Sequence, residues 1–543
     1  MEPALVIIEE LNEKNLKWIE EHYQKNWKIF CLNKAGKDLL DFADHCETVD
    51  LAQYFFDLTE TSLQLLESEL DRVDPIARMI SSILKLDVST ALYRYLLENY
   101  YLKKARIAKI KSLYGLDEYE AVYVDRNYVI FDGFLSILSL RRKLSKYRPF
   151  VSLFYRLFKS LKNVPKSSAK SVKLLLFVSP VEFHNSRDLI DLFRSSDVEF
   201  TILDALAKGT LYGPPQDNSR ICSKFYRYFL RAICDYLRSL NSQHDSFFSY
   251  FMYRALLHQY TAQDLYHQFH PKVILSSDED DIYQSINYHQ LKKNRVVVLN
   301  FMHGEKMYML RDALAKYDDF LVWGEYYKDL FEKLRYRGEK ITIVGNLGYG
   351  KINGYEVTNA DLQEIRNLHK KIISVYPQPT YGLASVEWQT QMMSDVCSYA
   401  RDRADVFVLV KHHPNEFRYP TPDYDEVIGD LQNVKRCHNE YELYDLIAIS
   451  DLILTPYSTV GLEAILFGKN VVYLNYGAVK HLVPYALEGS AIEISNNTEF
   501  EYYIDALLSG TIKLNQQKTI NTHANGLDSQ GTQRMYDHIV KHL

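Results

Sequence analysis

Cysteine is scarce in this chain of 543 residues, and its placement excludes two classes at once. The six cysteines, Cys31, Cys46, Cys222, Cys234, Cys397 and Cys437, are widely scattered, and no two form a Cys-x-x-Cys pair. Neither a zinc site nor a disulfide framework is expected, and a reducing compartment fits. Long apolar runs are also missing: none approaches the ~20 residues that a spanning helix needs. The stretch Met1 to Glu10 has no basic n-region, so no signal peptide is expected. Positive charge is not in excess either. The net charge of −6 argues against general nucleic-acid binding. Together these absences make a cytoplasmic location the expectation. What remains is ordinary globular material, 47% apolar and 25% charged, long enough for two or three domains.

Residues 1–140 read as an α/β segment with a helical insertion. Ala4 to Ile8 and Trp27 to Leu32 are strands, and helical spacing runs from about 50 to 118. Ala121 to Val124 and Tyr128 to Phe131 form a hairpin turned at Asp125-Arg126-Asn127. Residues 141–171 are a basic linker or amphipathic segment. From Arg141 to Lys173 there are eleven Lys and Arg and no acidic residue, interleaved with Phe150, Phe154, Tyr155 and Phe158. Two interpretations of 141–173 stand: a solvated helix face with a linker, or a surface that docks on anionic membrane at its inner face.

A fresh α/β series occupies 172–318. Its strand Val273-Ile274-Leu275 runs into four carboxylates, Asp278 to Asp281, and its strand Val296 to Asn300 runs into His303-Gly304. Crowding raises the pKa of one carboxyl in such a run, which makes Asp278 a candidate general base. Gly304 lets backbone approach a ligand, and His303 beside it can take a proton or contact a phosphate. Residues 319–500 read as a second Rossmann-like unit and 501–543 as terminal helices. In that second unit Val344 leads into Gly345-Asn346, and Val375-Tyr376 leads into Pro377-Gln378-Pro379, a strand-end loop with room for a donor.

The stretch from Asp405 to Gly477 carries the sharpest chemistry. A buried strand, Val406 to Val410, stops at Lys411-His412-His413-Pro414, and the strand Leu452 to Leu454 stops at Pro456-Tyr457-Ser458-Thr459 before a helix. Parallel strands of βαβ units bind ligands at their carboxyl ends. Ser458 and Thr459 offer hydroxyls and free backbone N–H groups to an anion, with the helix dipole behind them. Glu463, one turn later in apolar company, is costly to bury unless something satisfies it, and a ribose diol has two donors to give. The alternative is that Ser458 only caps the helix while Glu463 faces solvent.

These two motifs, Val410-Lys411-His412-His413-Pro414 and Tyr457-Ser458-Thr459-Val460-Gly461-Leu462-Glu463-Ala464, resemble the C-terminal half of GT-B glycosyltransferases of bacterial capsule and surface polysaccharide synthesis. The nearest groups are the Kdo and sialic acid transferases and the CDP-glycerol glycerophosphotransferases of teichoic acid synthesis. The resemblance covers roughly residues 270–475. It implies two Rossmann-like domains facing across a cleft. It further implies that His413-Pro414 and Ser458-Thr459 hold a cytidine nucleotide and its phosphate, with Lys411 beside them. His303-Gly304 matches a His-Gly in the related glycerophosphotransferases, and the Val-Gly-Asn turn at Gly345 and Asn346 would lie in the interdomain cleft.

The implied function is transfer of a sugar from a nucleotide donor, CMP-linked and of Kdo or sialic acid type, to a surface glycan or lipid-linked oligosaccharide. A glycerophosphotransferase, a UDP-sugar 2-epimerase-like enzyme and a catalytically silent glycan- or nucleotide-binding scaffold are the rivals. Asp278-x-Asp280 would suit a metal in a GT-A enzyme, but two successive Rossmann-like series favour GT-B. No metal and no cofactor beyond the donor substrate are expected.

Overall fold

The computed structural model describes residues 4–9, 26–32, 46–49, 54–68, 87–124, 128–131, 137–139, 172–178, 187–204, 269–277, 284–302, 304–305, 313–380, 384–413, 420–437, 440–479 and 482–543, with a few isolated positions between them. The basic stretch 141–171, Asp278 to Asp281, His303 and Pro414 lie outside the described residues.

Among the described residues, three six-stranded sheets follow one another along the chain. The first holds Ala4–Ile8 (β1), Lys28–Cys31 (β2), Cys46–Thr48 (β3), Glu120–Val124 (β4), Tyr128–Phe131 (β5) and Ile137–Ser139 (β6). Its order is β3-β2-β1-β4-β5-β6, parallel through β4 and antiparallel at β5 and β6. The helical insertion lies between β3 and β4: Phe55–Ser68 (α1), Ser89–Leu96 (α2), a π-helical turn at Leu97–Tyr101, and Leu102–Tyr114 (α3). Helix α3 stops at Gly115, whose left-handed φ of 65° favours a residue without a Cβ. Arg106 on α3 donates to Glu9 Oε1 at 2.6 Å and to the Tyr123 hydroxyl at 2.8 Å, tying the helix to β1 and β4.

The second sheet is wholly parallel. Its strands are Leu174–Val178 (β7), Phe200–Asp204 (β8), Val273–Ser276 (β9), Val297–Phe301 (β10), Asp319–Val322 (β11) and Ile341–Ile343 (β12), in the order β12-β11-β10-β9-β7-β8. Among the helices of this unit are Arg187–Arg194 (α4), Gln284–Lys293 (α5) and Glu325–Lys333 (α6). The pairing of β11 and β12 corrects the boundary read at 319. Both strands extend the second sheet from β10, so the next sheet begins only at Lys371. A strand-helix-strand pattern reads the same whether it closes one parallel sheet or opens another, so periodicity did not separate the cases.

The third sheet contains Lys371–Val375 (β13), Val406–Lys411 (β14), Val434–Cys437 (β15), Leu452–Thr455 (β16), Asn470–Leu474 (β17) and Ile492–Ile494 (β18). Its order is β15-β14-β13-β16-β17-β18, the doubly wound 3-2-1-4-5-6 arrangement. The connecting helices are Ala360–Leu368 (α7), Val386–Arg401 (α8), Tyr424–Ile428 (α9), Leu443–Ile449 (α10) and Thr459–Leu466 (α11). The near-continuous apolar runs follow from burial on both faces: every residue of β16 is buried, and so are Val406 to Val410 of β14.

The C-terminal helices divide between the two parallel sheets. Phe500–Leu508 (α12) buries Phe500, Ile504 and Leu507 in the core of the third sheet. After Gln517–Ala524 (α13), the helix Gly531–Val540 (α14) returns to the second sheet and buries Met535 and Ile539 beside Leu174 and Leu299. Two Rossmann-like sheets with this returning helix bear out the GT-B fold class. No helix among the described residues is long and apolar enough to cross a membrane.

Helix α11 lies so close to β17 that a Cβ on Gly461 would overlap the hydroxyl of Tyr473. That hydroxyl is buried and has no hydrogen-bond partner. Gly461→Ala is therefore expected to lower stability by about 1–3 kcal/mol through overpacking. Adding Tyr473→Phe should recover most of the loss, as read from the denaturation midpoints of the single and double variants.

Candidate functional site

The third sheet reverses its winding between β13 and β16, and ligands of such sheets bind outside the carboxyl ends of the strands at that point. Backbone and side chains hold the two strand ends together. Tyr376 N–H donates to Leu454 O at 2.9 Å, and the Thr455 hydroxyl donates to Tyr376 O at 2.9 Å. Thr455 Oγ1 also accepts from Ser458 N–H at 3.3 Å, so the turn into α11 is anchored to the end of β13.

Ser458 is the N-cap of α11, with extended φ and ψ of −69° and 146°, and its Oγ accepts from Val460 N–H at 3.3 Å. Thr459 is the first helical residue and is half-buried. Gly461 N–H donates to Ser458 O at 2.9 Å as well, so among the first-turn donors Thr459 N–H is the one left for an anion.

Lys411 and His413 sit at the end of β14, one strand beyond β13, so their strand lies about 10 Å from β16 along the same edge. Lys411 Nζ donates to Tyr441 O at 3.3 Å. The two histidines of the turn part company. His412 is buried, with Nδ1 3.2 Å from Glu416 Oε2, Nε2 accepting from Arg436 Nε at 3.1 Å, and its ring edge-on to Tyr424. It is structural. Glu416, fully buried, also accepts from His413 N–H at 3.1 Å and from the Tyr424 hydroxyl, so one carboxylate shapes the whole turn. The His413 ring is half-buried, and burial holds its pKa below the ordinary value although the Glu416 charge pulls the other way. His413 is thus a neutral donor or acceptor at pH 7, and the cation of this turn is Lys411.

Glu463 sits one turn into α11. Burial pushes its carboxyl up to about 7, and among the described residues its hydrogen bond is from the Tyr444 hydroxyl at 3.4 Å. Tyr376 is buried near it, its hydroxyl pKa raised by burial and further by the Glu463 charge. A desolvated carboxyl with a single long hydrogen bond has capacity for two more donors.

A second carboxyl of the same kind escaped sequence reasoning. Glu305 follows Gly304 directly after β10, and burial, helped by the charge of Glu488, pushes it up to about 7. The hydroxyl of Tyr485, from the loop between β17 and β18, donates to it. Tyr349, in the short 3-10 turn after β12, has a buried hydroxyl without a hydrogen-bond partner, and the charges of both Glu463 and Glu305 raise its pKa beyond the effect of burial. The two carboxyls therefore belong to one region where the second and third sheets meet. The visible signal for Glu305 was its place next to His303-Gly304. For Glu416 it was the four-residue spacing from His412.

The remaining sequence candidates fall as follows. Gly304 is half-buried, and a Cβ there would meet nothing within 4 Å. Gly345 has φ +87°, and a Cβ would come within 2.9 Å of Arg534 Nη2 on α14. Asn346 Oδ1 accepts from Gly348 N–H at 2.7 Å. The Gly345-Asn346 turn thus lies under the returning helix. Asp278, His303 and Pro414 are outside the described residues. Among the described residues no group of three or more His, Cys, Asp or Glu gathers as a metal site.

The class defined so far is an α/β protein of two Rossmann-like parallel sheets with a polar strand-end site on the second of them. No family model matches the sequence, and no curated protein matches it. Solved structures resemble it at low scores. The UDP-GlcNAc 2-epimerase from Neisseria meningitidis bound to UDP-GlcNAc is 12% identical, with a TM-score of 0.45 over 68% of this chain and 98% of that one. A glycosyltransferase from Rickettsia africae is 13% identical, with a TM-score of 0.40 over 68% and 99%. The wall teichoic acid polymerase TagF with CDPG is 13% identical, with a TM-score of 0.42 over 74% and 98%. At such scores the likeness carries no activity across.

The two raised carboxyls make stability depend on pH. Each binds a proton more tightly in the folded chain than at the ordinary value of 4.5, so the folded state holds extra protons between about pH 4.5 and 7. Stability is expected to fall as pH rises through that window, by up to about 3 kcal/mol per group. Glu463→Gln and Glu305→Gln should each flatten part of the slope in urea unfolding at pH 5 and pH 8. Slopes equal to that of the unaltered protein would count against these carboxyls as the source.

Proposed function

We propose that the protein is a glycosyltransferase that moves a sugar from a nucleotide donor, CMP-linked and of Kdo or sialic acid type, to a surface glycan or lipid-linked oligosaccharide. The observation that carries this reading is the joint placement, on one edge of the third sheet, of the Ser458-capped helix start, the Lys411-His413 turn and the desolvated carboxyl of Glu463. Lys411 and the Thr459 N–H at the start of α11 receive the leaving phosphate as its charge develops. Neutral His413 and the Thr459 hydroxyl hydrogen-bond its oxygens, with Pro414 of the same motif assigned to the nucleotide site. Glu463 accepts from the ribose diol, which supplies the donors its carboxyl lacks. Tyr376 closes the floor of the nucleotide pocket.

On the acceptor side, Asp278 or His303 assists the attacking hydroxyl, and Gly304, Gly345 and Asn346 border the acceptor. The reaction needs no metal ion and no cofactor beyond the donor. Residues 141–173 would keep the enzyme at an anionic membrane surface, where a lipid-linked acceptor is found.

A thermal-shift series with CMP, CDP, UDP and GDP tests the nucleotide site. The cytidine nucleotides are expected to give the largest shift, because a ligand at 100 times its Kd stabilises by about 2.7 kcal/mol. His413→Ala and Ser458→Ala should abolish it, and unchanged shifts in both variants would refute the assignment. Incubation with CMP-Kdo, CMP-sialate, CDP-glycerol and UDP-GlcNAc then separates sugar transfer from glycerophosphate transfer and epimerisation. Nucleotide binding with no turnover of any donor would favour a binding scaffold. Transfer should persist in EDTA; loss restored by Mn²⁺ would bring back a metal at Asp278-x-Asp280.

A further inference from the structure

The second and third sheets also meet through side chains that the strand-end chemistry does not use. Glu305, after β10, accepts from the hydroxyl of Tyr485, which belongs to the loop between β17 and β18. Helix α13 is wedged beside that contact. Its His523 is fully buried, stacked on Tyr326 of α6 with ring centroids 4.0 Å apart and edge-on to Tyr327 and Tyr485 at 5.5 Å and 5.0 Å. Gly324, at the start of α6, leaves no room for a Cβ against the Thr522 carbonyl, so α13 lies directly on α6. Tyr473 of β17 stacks on Tyr485 from the other side of the junction, with centroids 5.8 Å apart.

Two carboxyls share this junction, and they are partnered differently. Glu488 Oε1 is 3.1 Å from His523 Nε2, and its Oε2 accepts from the Thr519 hydroxyl. Burial works to raise the Glu488 carboxyl, yet these contacts hold it below the ordinary range. Glu305 is faced by Tyr485 and Glu488 from the loop between β17 and β18, by Tyr326 and Tyr327 from α6, by Tyr473 from β17 and by Tyr349 from the turn after β12. Those neighbours are five phenols and a second carboxyl. Burial pushes Glu305 up to about 7, with the Tyr485 hydroxyl pulling it down and the Glu488 charge pushing it up. The residue is only half-buried, which leaves its proton a route to solvent. If the sheets part, Tyr485 and Glu488 leave with the third sheet and the Glu305 carboxyl hydrates, returning toward 4.5. The closed junction therefore keeps a proton that the open one gives up, so closure is favoured at lower pH and opening as pH rises through about 7.

We propose that Glu305 and Tyr485 form a proton-operated latch between the second and third sheets, closed while the Glu305 carboxyl is protonated and released when its proton passes to solvent. The released carboxylate faces Glu488 and phenols, with His523 already turned to Glu488, so hydration in an opened junction is what accommodates it. The latch does not depend on the identity of the donor at Ser458. It sets how often the rim of the third sheet is held against the second.

Small-angle scattering of the full chain without ligand, from pH 5.5 to pH 8.5 at fixed ionic strength, tests the latch. The radius of gyration is expected to rise with pH, with the circular dichroism unchanged and the ratio of open to closed molecules growing by up to about a hundredfold. Glu305→Gln, neutral throughout, should keep the compact value at pH 8.5, while Glu463→Gln, which removes the other raised carboxyl, should keep the transition. Should Glu305→Gln fail to fold, Glu488→Gln serves in its place. It takes away the like charge beside Glu305, so the midpoint should move to lower pH. An equal radius at pH 5.5 and pH 8.5 in the unaltered protein overturns the proposal, as does a transition that persists in Glu305→Gln or a midpoint that Glu488→Gln leaves in place. Loss of the transition in Glu463→Gln would move the switch to α11 and equally overturn it. A rise in radius accompanied by loss of the circular dichroism signal is unfolding, and also overturns it.

Discussion

A parallel sheet delivers every strand to the same edge, and the third sheet depends on that constraint. Its strands β13, β14 and β16 all stop where the order reverses, so residues 376, 411 to 413 and 455 to 459 share one rim although they are far apart in sequence. The tie from the Thr455 hydroxyl to Tyr376 O, continued to Ser458 N–H, keeps the reversal point from opening. Helix α11 can then present its first turn outward, while Gly461 lets the same helix settle against Tyr473.

Around this rim the protein favours tyrosine over counter-ions. Glu463 meets Tyr444 and Glu305 meets Tyr485, and no ion pair with either carboxyl is found among the described residues. Ammonium partners would have kept both carboxyls charged. Phenols in a desolvated setting leave them close to half-protonated near neutrality, which suits groups that exchange hydrogen bonds with a hydroxylated guest. The contrast with Glu416 is instructive. That carboxylate has backbone, imidazole and phenol donors and serves only to shape the turn.

The parallel α/β character and the strand ends at Lys411 and Ser458 were legible because buried parallel strands are short apolar runs with abrupt polar stops. The assignment of β11 and β12 was not, since pairing partners leave no mark on periodicity. Of the candidate site, Ser458 and Glu463 could be read from the capping position and a carboxylate in apolar company. The division of labour between His412 and His413 could not, because it turns on Glu416 folding back beneath the strand end. Tyr349 and Tyr485 were hidden for a related reason: aromatic residues look like core until the hydroxyl's surroundings are known.

The returning helix α14 also bears on how the molecule can move. Its Arg534 Nε donates to Val344 O at 2.9 Å, and its first residue, Gly531, lies against the backbone of Asn346. The third sheet is thereby spliced into the second by two neighbouring crossings, one outbound after β12 and one inbound before α14. A body held by two adjacent threads cannot swivel freely as it would on a single linker.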